Sequence, residues 1–187
     1  MKYETFNPDT HDTYKVARLV YDVDFRTFDM LFKTDESAIR TIQKDLYKRE
    51  LDDFFKVILN ENNEIIGILI IYTSKTAHKF YLKSLRLLIV DILDHFVLCD
   101  IEDNDFYIAE IAIDESLRGQ GLGKAVLLDS IEYARKKGYD RATLDADFRN
   151  SGAKSLYERI GFKEFNKKRV KLPFFERGMY NMELILK

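Results

Sequence analysis

The spacing of apolar positions along this chain switches repeatedly between the helical and the extended period. Residues 2–6 form a short strand candidate, and Asn7-Pro8-Asp9 behind them is turn chemistry. Asp9 or Thr10 then stands where a cap would start a helix running to about Val23. Ile39, Ile42 and Leu46 recur at helical spacing and predict a second helix from Thr34 or Asp35 to about Lys48. Two apolar runs, 54–59 and 64–72, flank Asn60-Glu61-Asn62-Asn63, which is a hairpin signal. Gly67, inside the second run, marks a bulge or a close backbone contact. Between 80 and 99 an apolar stretch is broken by Lys83, Arg86, Asp91 and Asp94, so about 77–98 is expected as one long amphipathic helix or two short ones.

The second half is more sharply punctuated. Residues 106–113 mix Ile, Ala, Phe and Tyr and suit a strand buried on both faces. A helix is expected from about Gly121 to Lys137, with Lys136 and Lys137 in its last turn and Gly138 just beyond. Residues 141–147 form a further strand, and 151–160 a short helix closed by Gly161. Strands at about 162–171 and 178–186 complete the chain. The order β-α-α-β-β-(α)-β-α-β-α-β-β predicts an α/β fold, a mixed central sheet flanked by helices. At 187 residues the length suits one domain.

Composition narrows the function classes. A net charge of −2 gives no electrostatic footprint for nucleic acid. The one basic cluster, Lys163, Lys167, Lys168, Arg169 and Lys171, is interleaved with Phe165, Val170 and Leu172, as in a strand with one solvated face. The longest uncharged run, 65–74, is far short of the roughly 20 residues that span a bilayer. The N-terminal segment has no apolar stretch of the signal-peptide type. Cys99 is the only cysteine, which excludes an intrachain disulfide and is usual in reducing compartments. A soluble, cytoplasmic protein is the expectation, with neither nucleic acid nor membrane as partner. His11, His78 and His95 are scattered and carry no metal-ligand spacing, so no metal is expected. Cys99 is better placed as a small core residue than as a nucleophile.

Three of the chain's eight glycines, Gly119, Gly121 and Gly123, fall within five positions between a strand and a helix. Amides at a helix start have no intrahelical partner, and the helix dipole adds about half a positive charge there. Without side chains in the way, phosphate oxygens can reach those amides. The turn is not a Walker A loop: Arg118 occupies the first glycine slot and Ala125 the place of the magnesium-binding hydroxyl. Nor is it a dinucleotide fingerprint, because Lys124 or Val126 stands where the third glycine belongs.

What fits is R-x-x-G-x-G, from Arg118 to Gly123, after a buried strand and before a helix. Further on, Asn150 to Phe162 follows N-x-x-A-x-x-L-Y-x-x-x-G-F, again after a strand, and 178–186 suits a last strand. With these motifs the chain resembles the GNAT superfamily of N-acetyltransferases, clearly over 106–186 and weakly, in compatible order, over 2–72. The resemblance implies acetyl-CoA as co-substrate and a direct transfer of its acetyl group to an amine. It puts the pyrophosphate on the amides of Arg118, Gly119, Gln120, Gly121, Leu122, Gly123 and Lys124. The pantetheine arm would pair like an added strand with Ile111, Ala112 and Ile113. Asn150 and Ala153 would contact the co-substrate, with capping of the following helix the simpler role for Asn150. For Arg118 and Lys124 the plain alternative is a pair of solvated charges.

By the same resemblance Tyr157 protonates the departing thiolate. With reference pKa values of about 10 for a phenol and about 8.5 for a thiol, the phenol is protonated at pH 7 yet close enough in acidity to help. The alternative for Tyr157 is a tyrosine packing its helix onto the core. The attacking amine arrives protonated, about one molecule in 10³ being neutral at pH 7, so a base is needed. Glu110, in mid-strand, suits that role, and so does a salt-bridged structural part. Asp145 and Asp147, on one face of the next strand, are reserves, as is water. The connection at 75–105 is longer than a minimal family member carries, a helical insertion between the third and fourth strands. Its acidic exit, Asp100, Glu102, Asp103 and Asp105, is expected as a solvated charge run; it would also suit a cationic amine. The acceptor, a small molecule or a peptide, is not legible. A homodimer is the ordinary alternative to a monomer. Two other classes stay open: a non-catalytic CoA-binding regulatory module, and an interaction protein that kept only the fold.

Overall fold

The computed structural model describes residues 1–48, 53–75, 85–172 and 175–187. The first part of the expected insertion helix, 77–84, lies outside them. Seven strands hydrogen-bond in the order β1-β2-β3-β4-β5-β7-β6, and the contacts fall into two units that share strand β4 (Asp105–Ile113).

The first unit gathers the described residues of Met1–Ile71, Lys79–Val90 and Glu110–Val126. Its strands β1 (Lys2–Thr5), β2 (Phe55–Leu59) and β3 (Ile65–Tyr72) form an antiparallel meander. Asn60 shapes the hairpin, its side-chain oxygen accepting from the amides of Asn62 and Glu64. The bulge expected at Gly67 is present: the β2–β3 register slips between Ile58 and Leu59, skipping Ile66. The released carbonyl of Ile66 accepts from Asp114 N–H at 2.9 Å. A Cβ on Gly67 would lie 2.5 Å from the carbonyl oxygen of Ala112, so the close approach is real as well.

Three helices belong to this unit, α1 (Thr13–Val23), α2 (Phe25–Leu31) and α3 (Asp35–Leu46). Helix α1 starts later than the sequence suggests. The amides of Thr10 and His11 donate to the carbonyl of Asn7, and Asp9 N–H donates to its side chain, so the turn holds the chain until Asp12 caps the helix. Thr34 caps α3 as expected. Helix α2 carries no such signal: its N-cap, Asp24, makes no side-chain capping bond, and tertiary burial of Thr27 and Phe28 fixes it instead.

The second unit gathers the described residues of Tyr72–His78, Asp91–Ala109 and Leu127–Lys187. Here β4 runs parallel to β5 (Arg141–Asp147), in a ladder that pairs Asp105–Tyr107 with residues 141–143. Strand β7 (Phe175–Ile185) lies antiparallel between β5 and the edge strand β6 (Lys163–Leu172). Phe106, Ala142, Leu144 and Met182 fill the interior. Strand β6 leaves Lys163, Lys167, Arg169 and Lys171 exposed, but Phe165 is exposed beside them and Lys168 is half-buried, donating to Leu98 O, so the single solvated face expected from the sequence does not hold along the strand.

Helix α4 (Leu85–Val97) is the described helix of the insertion. The acidic exit of the insertion is solvated at Asp100, Glu102 and Asp103, as expected, and only Asp105 departs from that run by being buried. The parallel register sets Asp105 opposite Arg141, whose Nε and Nη2 donate to its two oxygens at 2.9 and 2.7 Å. Arg141 also reaches Glu102 and Glu183, and Asp100 pairs with Lys168.

Candidate active site

In the first unit, β4 ends at Ile113 and a short 3-10 turn, Glu115–Leu117, leads into the glycine turn and helix α5 (Leu122–Lys137). Asp114 starts the turn by accepting from the amide and hydroxyl of Ser116, and it pairs with Lys15 at 3.1 Å. These bonds hold its carboxyl at about 2. Gly119 and Gly121 both have φ of +80° with open space around them, so backbone conformation alone requires glycine there. Gly123 is different. It lies in the first turn of α5 without a positive φ, and an added Cβ would meet only Ile113 Cγ1 at 3.9 Å. Neither conformation nor packing asks for glycine at 123.

The amides of Leu122, Gly123 and Lys124 open the helix and have no intrahelical acceptor, while Ala125 N–H already donates to Gly121 O. Gln120 and Lys124 are exposed. Arg118 is not merely solvated: Nε donates to Ile113 O and Nη2 to Asp22, each at 3.3 Å, which ties the turn to the end of α1. Burial raises the Asp22 carboxyl, with Arg118 acting in the opposite sense. No sequence signal marked Asp22, because a carboxylate near a helix end is an ordinary surface residue until the fold supplies its partner. Ala112 and Ile113 are buried and Ile111 is half-buried. Glu110 is half-buried on the same strand segment.

The second unit holds the remaining residues. Asn150 caps α6 (Ser151–Ile160), its side-chain oxygen accepting from Ala153 N–H at 3.0 Å. That bond commits the Ala153 amide to the helix start. Tyr157, two turns on, is half-buried, with its ring 6.1 Å from that of Phe162. Burial pushes its phenol up, and the negative charge of Asp145 adds to the shift, so the hydroxyl keeps its proton at neutral pH.

Asp145 accepts three hydrogen bonds. Oδ2 takes Cys99 N–H at 3.0 Å and the Tyr107 hydroxyl at 2.7 Å, and Oδ1 takes the amide of Asn181. Burial raises its carboxyl against these bonds. Asp147 is gripped by Arg149 through two bonds at 2.8 and 2.6 Å; burial alone would raise it, but Arg149 lowers it. Asp147, so held, is a poor proton acceptor. Cys99 is buried and its thiol is pushed well up by that burial, as a core residue requires. His11 is structural: Nδ1 accepts from Asn7 N–H, and Nε2 faces Glu4 at 3.3 Å. His78 lies outside the described residues. Among the described residues no cluster of His, Cys, Asp and Glu could hold a metal ion, and no helix is long and apolar enough to cross a membrane.

Comparison with known proteins shows the class to which this fold belongs. The acetyltransferase (GNAT) family profile matches residues 18–162, and the chain belongs to that family. An uncharacterized N-acetyltransferase of Methanocaldococcus jannaschii is 29% identical over 147 residues, covering 75% of this chain and 52% of its own length. The chain thus spans about half of that relative, and 37% of a glucosamine 6-phosphate N-acetyltransferase of Trypanosoma brucei brucei that is 42% identical over 59 residues. Among solved structures, an N-acetyltransferase from Staphylococcus aureus Mu50 superposes with a TM-score of 0.69 at 20% identity, covering 98% of this chain and all of its own.

Proposed function

We propose that this chain is a single N-acetyltransferase domain that moves the acetyl group of acetyl-CoA directly onto an amine. The observation that carries this reading is Gly123: glycine where neither backbone nor packing needs it, beside helix-start amides free to receive a phosphate. A fold neighbour from Elizabethkingia anophelis, TM-score 0.56 and 19% identical over 99% of this chain and 97% of its own, was solved with acetyl-CoA bound. In our reading the amides of 118–124 take the pyrophosphate, and the backbone of 111–113 pairs with the pantetheine arm.

The amine nitrogen attacks the thioester carbonyl, the C–S bond breaks, and the thiolate takes the Tyr157 proton. The raised phenol suits this role, since it is fully protonated beforehand. Glu110, directly or through water, accepts the proton that the ammonium group must lose. The Arg149 grip on Asp147 speaks against it as the base, and Asp145 already accepts from Cys99, Tyr107 and Asn181. A single buried thiol accords with a reducing compartment such as the cytoplasm.

The test is thiol release from acetyl-CoA across a panel of amines, with wild type and Tyr157→Phe. Amine-dependent release that drops about 10²-fold or more in the variant is the expected result, in line with loss of a general acid. CoA binding without release for any amine would leave a non-catalytic CoA-binding module.

A further inference from the structure

Lys15 and Asp22 stand seven positions apart on α1, about 20° short of two full turns and about 10 Å along the axis. They therefore share one side of the helix, and both are half-buried. Their charges are opposite, and each meets its counterpart at the entry to the glycine turn. Lys15 Nζ pairs with Asp114 at 3.1 Å, and Arg118 Nη2 donates to Asp22 Oδ2 at 3.3 Å. The two turn residues are themselves anchored. Asp114 N–H donates to the bulge carbonyl of Ile66, and its carboxylate holds Ser116. Arg118 Nε reaches back to Ile113 O, at the end of β4.

The crossed signs admit one direction of the 114–118 segment along α1. Laid the other way, it would set Lys15 against Arg118 and Asp22 against Asp114, like charge facing like. Stability does not account for the arrangement. The Arg118 side chain is 52% exposed and that of Lys15 37%, and solvated ion pairs of this kind add little to folding. Burial works against the charge of Asp22 as well. Nor does Coulomb attraction account for it, since a carboxylate beside an anion site repels the anion. What the two pairs do fix is geometry. They hold both ends of the short segment from which the glycine-turn amides are aimed.

We propose that Asp22, acting through Arg118, is a positioning residue for the co-substrate: with the Lys15–Asp114 pair it clasps residues 114–118 to α1, so that the glycine-turn amides face the pyrophosphate before it arrives. The inference rests on the reading that this turn takes the pyrophosphate of acetyl-CoA. Preorganisation shows in affinity. An unclasped turn that holds the receptive geometry about one-tenth of the time binds about tenfold more weakly.

Isothermal titration of the unliganded protein with CoA tests the clasp. Asp22→Asn should raise the dissociation constant about tenfold. The sign separates the explanations, because removing a negative charge beside an anion site would by Coulomb attraction alone lower that constant. Asp22→Glu keeps the carboxylate and should bind within about threefold of wild type. In an Arg118→Met background, Asp22→Asn should add less than about twofold, since the contact it acts through is already gone. Melting temperatures of the Asp22 variants should stay within about 2 °C of wild type, as for other solvated pairs. CoA binding as tight in Asp22→Asn as in wild type, or tighter, overturns the proposal. So does an undiminished tenfold loss in the Arg118→Met background, which would mean that Asp22 does not act through Arg118. A wild type that binds no CoA overturns the functional reading, and this inference with it.

Discussion

Replacing Gly123 by alanine separates the needs of the fold from those of a phosphate. The added methyl group finds only an ordinary contact, 3.9 Å from Ile113 Cγ1, and the backbone has no positive φ to strain. Alanine in a helix is favoured over glycine by about 0.5–1 kcal/mol. At roughly 2–4 °C per kcal/mol for a chain of this size, the variant should melt about 1–4 °C higher than wild type. Gly121→Ala, at φ +80°, should instead lose about 1–2 kcal/mol, or roughly 2–8 °C. For CoA the order reverses in significance. If the pyrophosphate rests on the α5 amides, the methyl group holds it away from at least one of them. A hydrogen bond to a charged group is worth about 1.5–3 kcal/mol, so the dissociation constant for CoA should rise about 10- to 150-fold. Isothermal titration with CoA and a thermal melt of the unliganded protein measure the two effects. A Gly123→Ala protein that melts no lower than wild type and binds CoA just as tightly would refute the reasoning.

Two further outcomes follow from ion pairs. Asp114 is held at about 2, first by the Ser116 hydroxyl and then by Lys15, below its ordinary carboxyl value. Its stabilising effect is therefore present above about pH 4 and lost as pH falls through 2, so the melting temperature should drop less steeply between pH 4 and 2 in Asp114→Asn than in wild type. Arg141→Met should cost about 3–5 kcal/mol in urea unfolding, because it strands the buried carboxylate of Asp105 without its bidentate partner. A loss under about 1 kcal/mol would mean that Asp105 is rehydrated or protonated at little cost.

Much of the site was legible because its parts are local. Glycines at 119 and 121 answer a backbone conformation, Asn150 answers a helix start three residues away, and both requirements are written within a few positions of the residue concerned. The burial of Asp105 was not legible for the opposite reason. Asp105 and Arg141 are far apart in sequence and meet only because β4 and β5 run parallel in one register. Helix α2 went unseen since nothing in its first turn caps it, leaving burial to decide it. Asp145 and Asp147 looked like equivalent reserves on one strand face, yet burial raises the first, which accepts from Tyr107, Cys99 and Asn181, while Arg149 lowers the second.

By itself the amino-acid sequence determined the order of the elements apart from α2, the glycine turn and the tyrosine-bearing helix, because period, caps and turn residues act over a few neighbours. Only the tertiary structure decided which charges are paired, that Arg118 is tied to Asp22, and that Leu85, Ile92 and Phe96 of α4 are exposed. Those outcomes depend on which distant residues the sheet register and helix packing bring within a few ångströms, and no local pattern encodes that.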